Sequence, residues 1–255
     1  MKHKKNYFIN DVMVMFARSS KHITRSPDTI ITTLIMPIAI MLLFVYVLGG
    51  AIQTGSENYI NYQLPGILLI TIGSGVSYTS YRLFTDKQRG IFERFHSMPI
   101  VRSTPLWGHV LTSLMSNVVS LVVVILVALL LGFRSSASIG SWLMIMGMLV
   151  LFTMSLTWLS VVAGLLAKTP DGASVLAYPL MFLPFLSSAF VPTESMPRAL
   201  QIFAENQPVT SIVNAIRALI ENQAMGNDIW LALVYCIVIL IVSYCIAMKI
   251  YRKQS

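Results

Sequence analysis

Charged residues are scarce in this sequence: Asp, Glu, Lys and Arg together make up 11% of its 255 residues. A soluble domain usually carries about a quarter of its residues as charges, because its surface must be hydrated. This chain cannot form such a surface, so most of it must lie in lipid. The net charge of +8 sits in loops between apolar runs and is not spread over a soluble fold. We therefore expect a membrane protein and no nucleic-acid partner.

Recognisable catalytic and metal-binding patterns are also missing. Cys236 and Cys245 share one apolar run and would face opposite sides of a helix, so we expect no disulfide between them. The four histidines lack the spacing of metal ligands. No nucleophile motif or paired carboxylates occur, and Gly164–Thr169 lacks the second glycine of a phosphate-binding loop. We therefore expect no enzymatic activity, no metal and no cofactor in this chain.

Six long apolar runs make up most of the sequence, and none of them contains Asp, Glu, Lys or Arg. Each run has roughly the 20 residues that a helix needs to cross the hydrocarbon core. The runs do not alternate in polarity, so helices are predicted rather than strands. The lack of ionisable groups argues against an ion-coupled transporter. The predicted spans are Thr29–Leu48, Ile60–Tyr81, Leu106–Gly132, Ile139–Ala167, Ala173–Val191 and Ile229–Met248.

The loops predict the orientation of these spans. With a cytoplasmic N-terminus, 15 of the 18 Lys and Arg residues lie in the N-terminal tail, Arg82–Pro105, Lys168–Gly172 and the C-terminal tail. Lys and Arg are retained on the cytoplasmic side of membrane proteins. We therefore predict an all-α membrane protein of one domain, residues 1–255, with six transmembrane helices and both termini in the cytoplasm.

Two polar segments on the predicted cytoplasmic side contain patterns of apolar and charged residues that indicate a role. Residues 1–28 contain Asn6–Arg25, where apolar residues recur at helical spacing beside basic ones, which predicts an amphipathic helix on the inner membrane surface. A disordered basic tail is the alternative. Arg82–Pro105 mixes large apolar residues with charges, which favours a surface that docks another protein. A loop that only sets the topology is the alternative.

The segment Pro192–Asp228 lies on the outer side in this topology. Within it, apolar residues from Val209 to Ile220 follow the spacing of one helix face, Pro208 suits the first helical position, and Gly226 follows. This helix is too short and too polar to span the bilayer. We therefore predict a re-entrant or interfacial helix between spans five and six.

Two motifs give the chain a resemblance to ABC type-2 exporter permeases, in particular to the daunorubicin-resistance-type drug permeases. The first, in the cytoplasmic loop, consists of Arg89–Gly90, Glu93–Arg94, Met98–Pro99 and Gly108. The chain departs from the family pattern at Arg89, where many relatives have an acid, and at His109, where they have lysine. The second motif lies in the outer segment and consists of Phe190, Pro192, Glu194, Met196–Pro197, Leu200–Gln201, Pro208, Thr210 and Arg217.

The resemblance implies a permease subunit that exports a hydrophobic or amphiphilic cargo across the plasma membrane of a prokaryotic cell. The expected partners are a dimer of cytoplasmic ABC ATPase subunits, which holds ATP and magnesium, and a second permease copy, identical or a sister chain. Pro208–Asn222 would cap the outer exit of the pathway, together with Glu194, Pro197 and Arg217. The coupling segment, which would dock the ATPase, consists of Lys87, Arg89, Gly90, Ile91, Phe92, Glu93, Arg94 and Phe95.

We further expect the fifth span to act as the gate, because Pro179 and Pro184 each remove a backbone hydrogen bond and favour a kink. Two readings compete with that of a drug exporter: an exporter of polysaccharides or glycolipids, and a membrane-embedded enzyme or scaffold that works without ATP. Small residues of the second span permit close helix approach. The side chains that we expect along the cargo pathway are Ser74, Tyr78, Phe182, Phe185 and Ser188.

Overall fold

The computed structural model describes residues 12–16, 30–48, 59–92, 103–175, 178–223 and 226–254. All regular secondary structure in these ranges is helical, as predicted for a membrane protein of this class. Residues 30–48 form one continuous helix. Its α-helical part, α1, is Met36–Leu43, and π-helical turns flank it at Ile31–Ile35 and Phe44–Leu48. The other α-helices are α2 Tyr59–Gln88, α3 Thr104–Leu130, α4 Ile139–Leu166, α5 Pro170–Val175, α6 Tyr178–Phe182, α7 Arg198–Asn206, α8 Pro208–Ile220 and α9 Asp228–Gln254.

Three helices in the described ranges are long and apolar enough to cross a membrane: Thr104–Leu130, Ile139–Leu166 and Asp228–Lys253. They coincide with the third, fourth and sixth predicted spans. At 1.5 Å per residue, such helices are about 40 Å long, which exceeds the thickness of the hydrocarbon core. A shorter apolar helix, Thr33–Val47, corresponds to the first predicted span.

Helix α2 forms the centre of the bundle. It packs against α3, α4, α5 and α6, and most of its side chains from Tyr59 to Phe84 are buried. Small residues allow these neighbours to come close: a Cβ atom on Gly73 would lie 3.1 Å from Cα of Met181, and one on Gly66 would lie 2.6 Å from Cβ of Ala189. The expected close approach along this helix is therefore confirmed.

The helix α2 also extends further than the sequence predicted. The prediction ended the second span at Tyr81, whereas the helix continues through Arg82 to Gln88. Charge marks where a membrane run ends, but residues such as Arg and Lys are good helix formers and do not end a helix. The turn comes at Gly90, whose φ of 67° is a conformation that glycine adopts without strain. The predicted loop therefore begins as a helix.

The predicted fifth span is wrong as a single helix. Its sequence, Ala173–Val191, comprises the end of α5, the short helix α6, a 3₁₀ turn at Leu183–Leu186 and a non-helical stretch up to Val191. Pro179 stands near the start of α6, and Pro184 lies within the 3₁₀ turn. Proline lacks the N–H that a continuous helix needs, so two prolines in a short run favour its division.

The described residues of the outer segment form two α-helices and a 3₁₀ turn at Thr193–Ser195, whereas the sequence predicts one helix. The helix α8 begins at Pro208, as expected, and ends at Ile220. The prediction missed α7, whose apolar residues Leu200, Ile202 and Phe203 are about half exposed. Its nine residues are too few for helical periodicity to stand out from the surrounding loop.

The predicted N-terminal amphipathic helix is described only at residues 12–16, which are helical. Val12 is buried, and Met15 packs against the start of α3, where a Cβ atom on Gly108 would lie 2.8 Å from Cβ of Met15. The remainder of Asn6–Arg25 lies outside the described residues. The family motif glycine at position 108 therefore lets the N-terminal segment approach α3 closely.

Candidate functional site

Two polar clusters lie at opposite ends of α2. Tyr62 and Lys87 mark these ends, and the helix between them is roughly 38 Å long. We call the first cluster the Arg217 cleft: it consists of Arg217 and Asn214 of α8, Tyr59 and Tyr62 of α2, and residues 187–192. We call the second the coupling end: it consists of Asp86, Lys87 and Phe92, with His109 of α3 and Tyr251 of α9.

The guanidinium of Arg217 is the centre of the cleft. Its Nη2 donates hydrogen bonds to the carbonyl oxygens of Ser188 at 2.9 Å and Tyr62 at 3.2 Å. Its Cζ lies 3.8 Å from the centroid of the Tyr62 ring, which adds a cation–π contact. Burial lowers the pKa of Arg217, yet an arginine stays charged at any physiological pH. The side chain therefore joins α8 to α2 and to the non-helical stretch.

Neighbouring side chains hold the same stretch of backbone. The hydroxyl of Tyr62 donates to the Ser188 carbonyl at 3.1 Å, and that of Tyr59 donates to the Phe190 carbonyl at 3.1 Å. The Ser188 hydroxyl donates to Oδ1 of Asn214 at 2.8 Å. Non-helical backbone is tolerated within a membrane protein only where its polar groups find partners inside the protein. Side chains of α2 and α8 supply them here.

The cleft itself has a volume of about 370 Å³ and is open on one side. This size falls in the range of small-molecule sites. Three carboxylates line its wall, from Glu194, Glu205 and Asp228, against the one guanidinium of Arg217. The cleft therefore favours polar or cationic groups over anions. The lining residues are Tyr62, Ser188, Pro192, Thr193, Glu194, Glu205, Thr210, Ser211, Asn214, Arg217 and Asp228.

An aromatic cluster adjoins the cleft through residues 188–190. The rings of Phe185 and Phe190 stack with centroids 5.1 Å apart, and Phe44 lies 4.5 Å from Phe190. Phe182 contacts Phe185 at 6.3 Å and is 58% exposed. Phe185, Phe182 and Ser188, three of the side chains expected along the pathway, therefore lie in one region. Pro184, expected at the gate, is buried beside them.

The other two expected pathway residues lie apart from this region. Ser74 is buried in α2, and its hydroxyl donates to the Thr71 carbonyl at 2.9 Å. Tyr78 lies one turn further along α2 and lines a cavity of about 10 Å³, room for roughly one water molecule. Arg82 and His109 line the same cavity, so Tyr78 belongs with the coupling end.

Four contacts tie the coupling end to three other helices. Nζ of Lys87 donates to the Leu165 carbonyl at the C-terminus of α4, at 3.2 Å. Oδ2 of Asp86 lies 3.3 Å from Nε2 of His109, which is buried in α3. Phe92 lies between the ring of His109, at 6.4 Å, and that of Tyr251 in α9, at 5.9 Å. The last turn of α2 and Phe92, which follows it, are thus anchored to α3, α4 and α9.

The position of Phe92 corrects its expected role as a docking side chain. Phe92 is only 8% exposed, because its ring packs inside the bundle rather than facing a partner. Arg89 is exposed, and Gly90 and Ile91 are half-buried, so these residues are accessible to another protein. Glu93, Arg94 and Phe95 lie outside the described residues.

The sequence does not predict the roles of several side chains in these two clusters. The sequence patterns mark His109 only as a departure from the family motif, and they do not single out Tyr59, Tyr62, Asn214 or Tyr251. Their partners are far away in the sequence, as with Tyr59 and Phe190, so no local spacing could reveal them. Within the described ranges, no group of three or more His, Cys, Asp or Glu residues could hold a metal ion.

Comparison with known proteins gives a consistent result. Residues 10–220 match the family described as ABC-2 type transporter. A daunorubicin resistance ABC transporter permease protein of Streptomyces coeruleorubidus is 30% identical over 236 residues, covering 90% of this chain and 81% of that protein. A probable doxorubicin resistance ABC transporter permease protein of Mycobacterium tuberculosis is 24% identical, covering 93% and 89%. A putative transport permease of Cyanophora paradoxa is 25% identical, covering 86% and 77%.

Proposed function

The chain belongs to the ABC-2 type transporter family and is a permease subunit of an ABC exporter in a cell membrane, and from this premise we propose its topology, cargo and docking surface. It works with a cytoplasmic ABC ATPase, and ATP and magnesium are bound there. The observation that carries the assignment is the family match over residues 10–220, with a drug-resistance permease similar along 90% of the chain.

The proposed topology has six membrane passes with both termini in the cytoplasm. Residues 30–48, α2, α3, α4 and α9 make five of them, and residues 170–192 make the divided fifth pass. The support is the distribution of Lys and Arg, which puts the coupling end inside the cell and the Arg217 cleft outside. The central helix α2 is shielded from lipid by its neighbours, so it tolerates its many small and polar residues.

The ATPase docks on the coupling segment, Lys87–Phe95. Arg89 and Ile91 offer an exposed cation beside an apolar side chain, and Phe92 fixes the segment from within. A displacement of the segment must move α3, α4 and α9 or break its contacts with them. Movement of the ATPase is therefore transmitted to the helices at this end. Six passes are half of the usual transporter, so a second permease copy completes the pathway.

The cargo is amphiphilic. The exposed Phe182 and the partly buried Phe185 provide an apolar surface, and the cleft beside them provides carboxylates and hydroxyls. A molecule with an aromatic body and a cationic or hydroxyl-bearing group would contact both. Daunorubicin and doxorubicin appear in the names of two relatives and are suitable first probes for this chain.

Co-expression with candidate ATPase subunits tests the function. The wild-type chain should copurify with one ATPase and, in vesicles, move daunorubicin only when ATP is supplied. Arg89→Glu should reduce copurification, whereas Arg198→Glu, an exposed residue of α7 at the other end, should not. Equal copurification of both variants would contradict the docking surface. ATP-driven export of a glycan but not of daunorubicin would contradict the cargo.

A further inference from the structure

The last turns of α9 bury an aromatic ring among charges. Tyr251 is 4% exposed, although Arg252 and Lys253 beside it are exposed. Its ring meets Phe92 edge to face, with centroids 5.9 Å apart and an interplanar angle of 65°. This is the arrangement that the quadrupoles of two aromatic rings favour.

Phe92 makes this contact unusual, because it belongs to the coupling segment. That segment continues directly from α2, so α2 follows any movement of it through the chain itself. The helix α9 is more than 130 residues away in the sequence, so a displacement of Phe92 can act directly on α9 only across a side-chain contact.

The helix α9 also reaches the other end of the molecule. It has 27 residues, which makes it about 40 Å long. Along its length it packs against α4 and α8, and α8 carries the Arg217 that holds the cleft. One continuous helix thus contacts Phe92 near its end and the cleft helix near its start.

We propose that Tyr251 is a positioning residue that transmits movement of the coupling segment to α9, and through α9 to the Arg217 cleft. This inference rests on the proposed function, since it requires an ATPase to move the segment. It gives the C-terminal helix a role in coupling that is separate from that of the chain linking α2 to α3.

The test places a reporter at the far end of α9. Trp230, which is 68% exposed, is replaced by cysteine in a Cys236→Ala, Cys245→Ala background and labelled with an environment-sensitive fluorophore. Fluorescence of the complex with its ATPase is compared without nucleotide and with Mg-ATP and vanadate. Copurification of the ATPase is measured first, because its absence would refute the proposed function and this inference together.

The variants separate transmission from packing. Tyr251→Ala and Phe92→Ala should each reduce the nucleotide-dependent signal roughly two- to tenfold, since each removes the same ring pair. The double variant should be no worse than either single variant, because interacting residues are non-additive. Tyr251→Phe, which keeps the ring, and Tyr235→Ala, the same change as Tyr251→Ala elsewhere on α9, should retain the signal.

Three results would overturn the inference while leaving the proposed function intact. The first is a labelled complex that retains its ATPase but shows no nucleotide-dependent signal. The second is a double variant whose loss equals the combined losses of the single variants. The third is a loss in Tyr251→Phe as large as in Tyr251→Ala, which would assign the effect to the hydroxyl.

Discussion

At the Arg217 cleft, side chains of α2 and α8 donate hydrogen bonds to the main-chain carbonyls of residues 62, 188 and 190. The coupling end, by contrast, combines two ring contacts with one hydrogen bond and the contact between Asp86 and His109. Hydrogen bonds fix both distance and direction. Ring contacts tolerate a range of angles and offsets. We infer that the cleft has a fixed shape, whereas the coupling end can move while its contacts persist.

The largest effect should come from removing the cation of the cleft. Arg217→Met leaves the carbonyl of Tyr62 without this donor and weakens the hold on Ser188, so we expect a loss of about 3 kcal/mol in unfolding free energy. Thermal unfolding in detergent measures it. Arg198→Met, at an exposed position of α7, should change little. Equal stability of the two variants would contradict the role of the Arg217 hydrogen bonds in holding the cleft.

A methyl group at Gly164 tests the packing near the coupling end. A Cβ atom there would lie 2.9 Å from the Ser80 carbonyl oxygen, so Gly164→Ala forces α4 away from α2 and should cost about 1–3 kcal/mol. Gly147→Ala is the matched control in the same helix, because no atom lies within 4 Å of its added Cβ. Alanine has the higher helix propensity, so a destabilisation as large in Gly147→Ala would mean that crowding does not decide the result.

The hydroxyl of Tyr62 can be removed while its ring stays over Arg217. Tyr62→Phe deletes one of the hydrogen bonds to Ser188 and should cost about 1 kcal/mol. Tyr62→Leu also removes the cation–π contact and should cost more. Chemical-denaturant unfolding compares the two. If both variants lose the same stability, the cation–π contact contributes nothing.

The smallest effect should come from the contact between Asp86 and His109 at the coupling end. Asp86 is partly exposed, so Asp86→Asn should change stability by no more than about 1 kcal/mol. A loss comparable to that of Arg217→Met would show that the coupling end is held as rigidly as the cleft.

The sequence predicts some of these features and not others, for physical reasons. Pro208 and the apolar spacing after it are local signals, and they placed the start of α8 correctly. The prolines at 179 and 184 indicate a kink, but the sequence still predicts the fifth span as one helix. Sequence cannot show that Tyr59 and Tyr62 donate hydrogen bonds to the carbonyls of the non-helical stretch. The sequence predicts that Phe92 faces a partner, because it does not distinguish buried from exposed apolar residues in a charged loop. The fold shows that the Tyr251 ring packs on Phe92.

The central claim is that this permease does not drive itself: the energy enters at the coupling end from a separate ATPase. The most direct test is ATP turnover by the purified chain in proteoliposomes, alone and with its ATPase subunit. We predict no turnover and no transport by the chain alone, and both when the subunit is added. ATP hydrolysis or cargo movement by the chain alone would contradict the account.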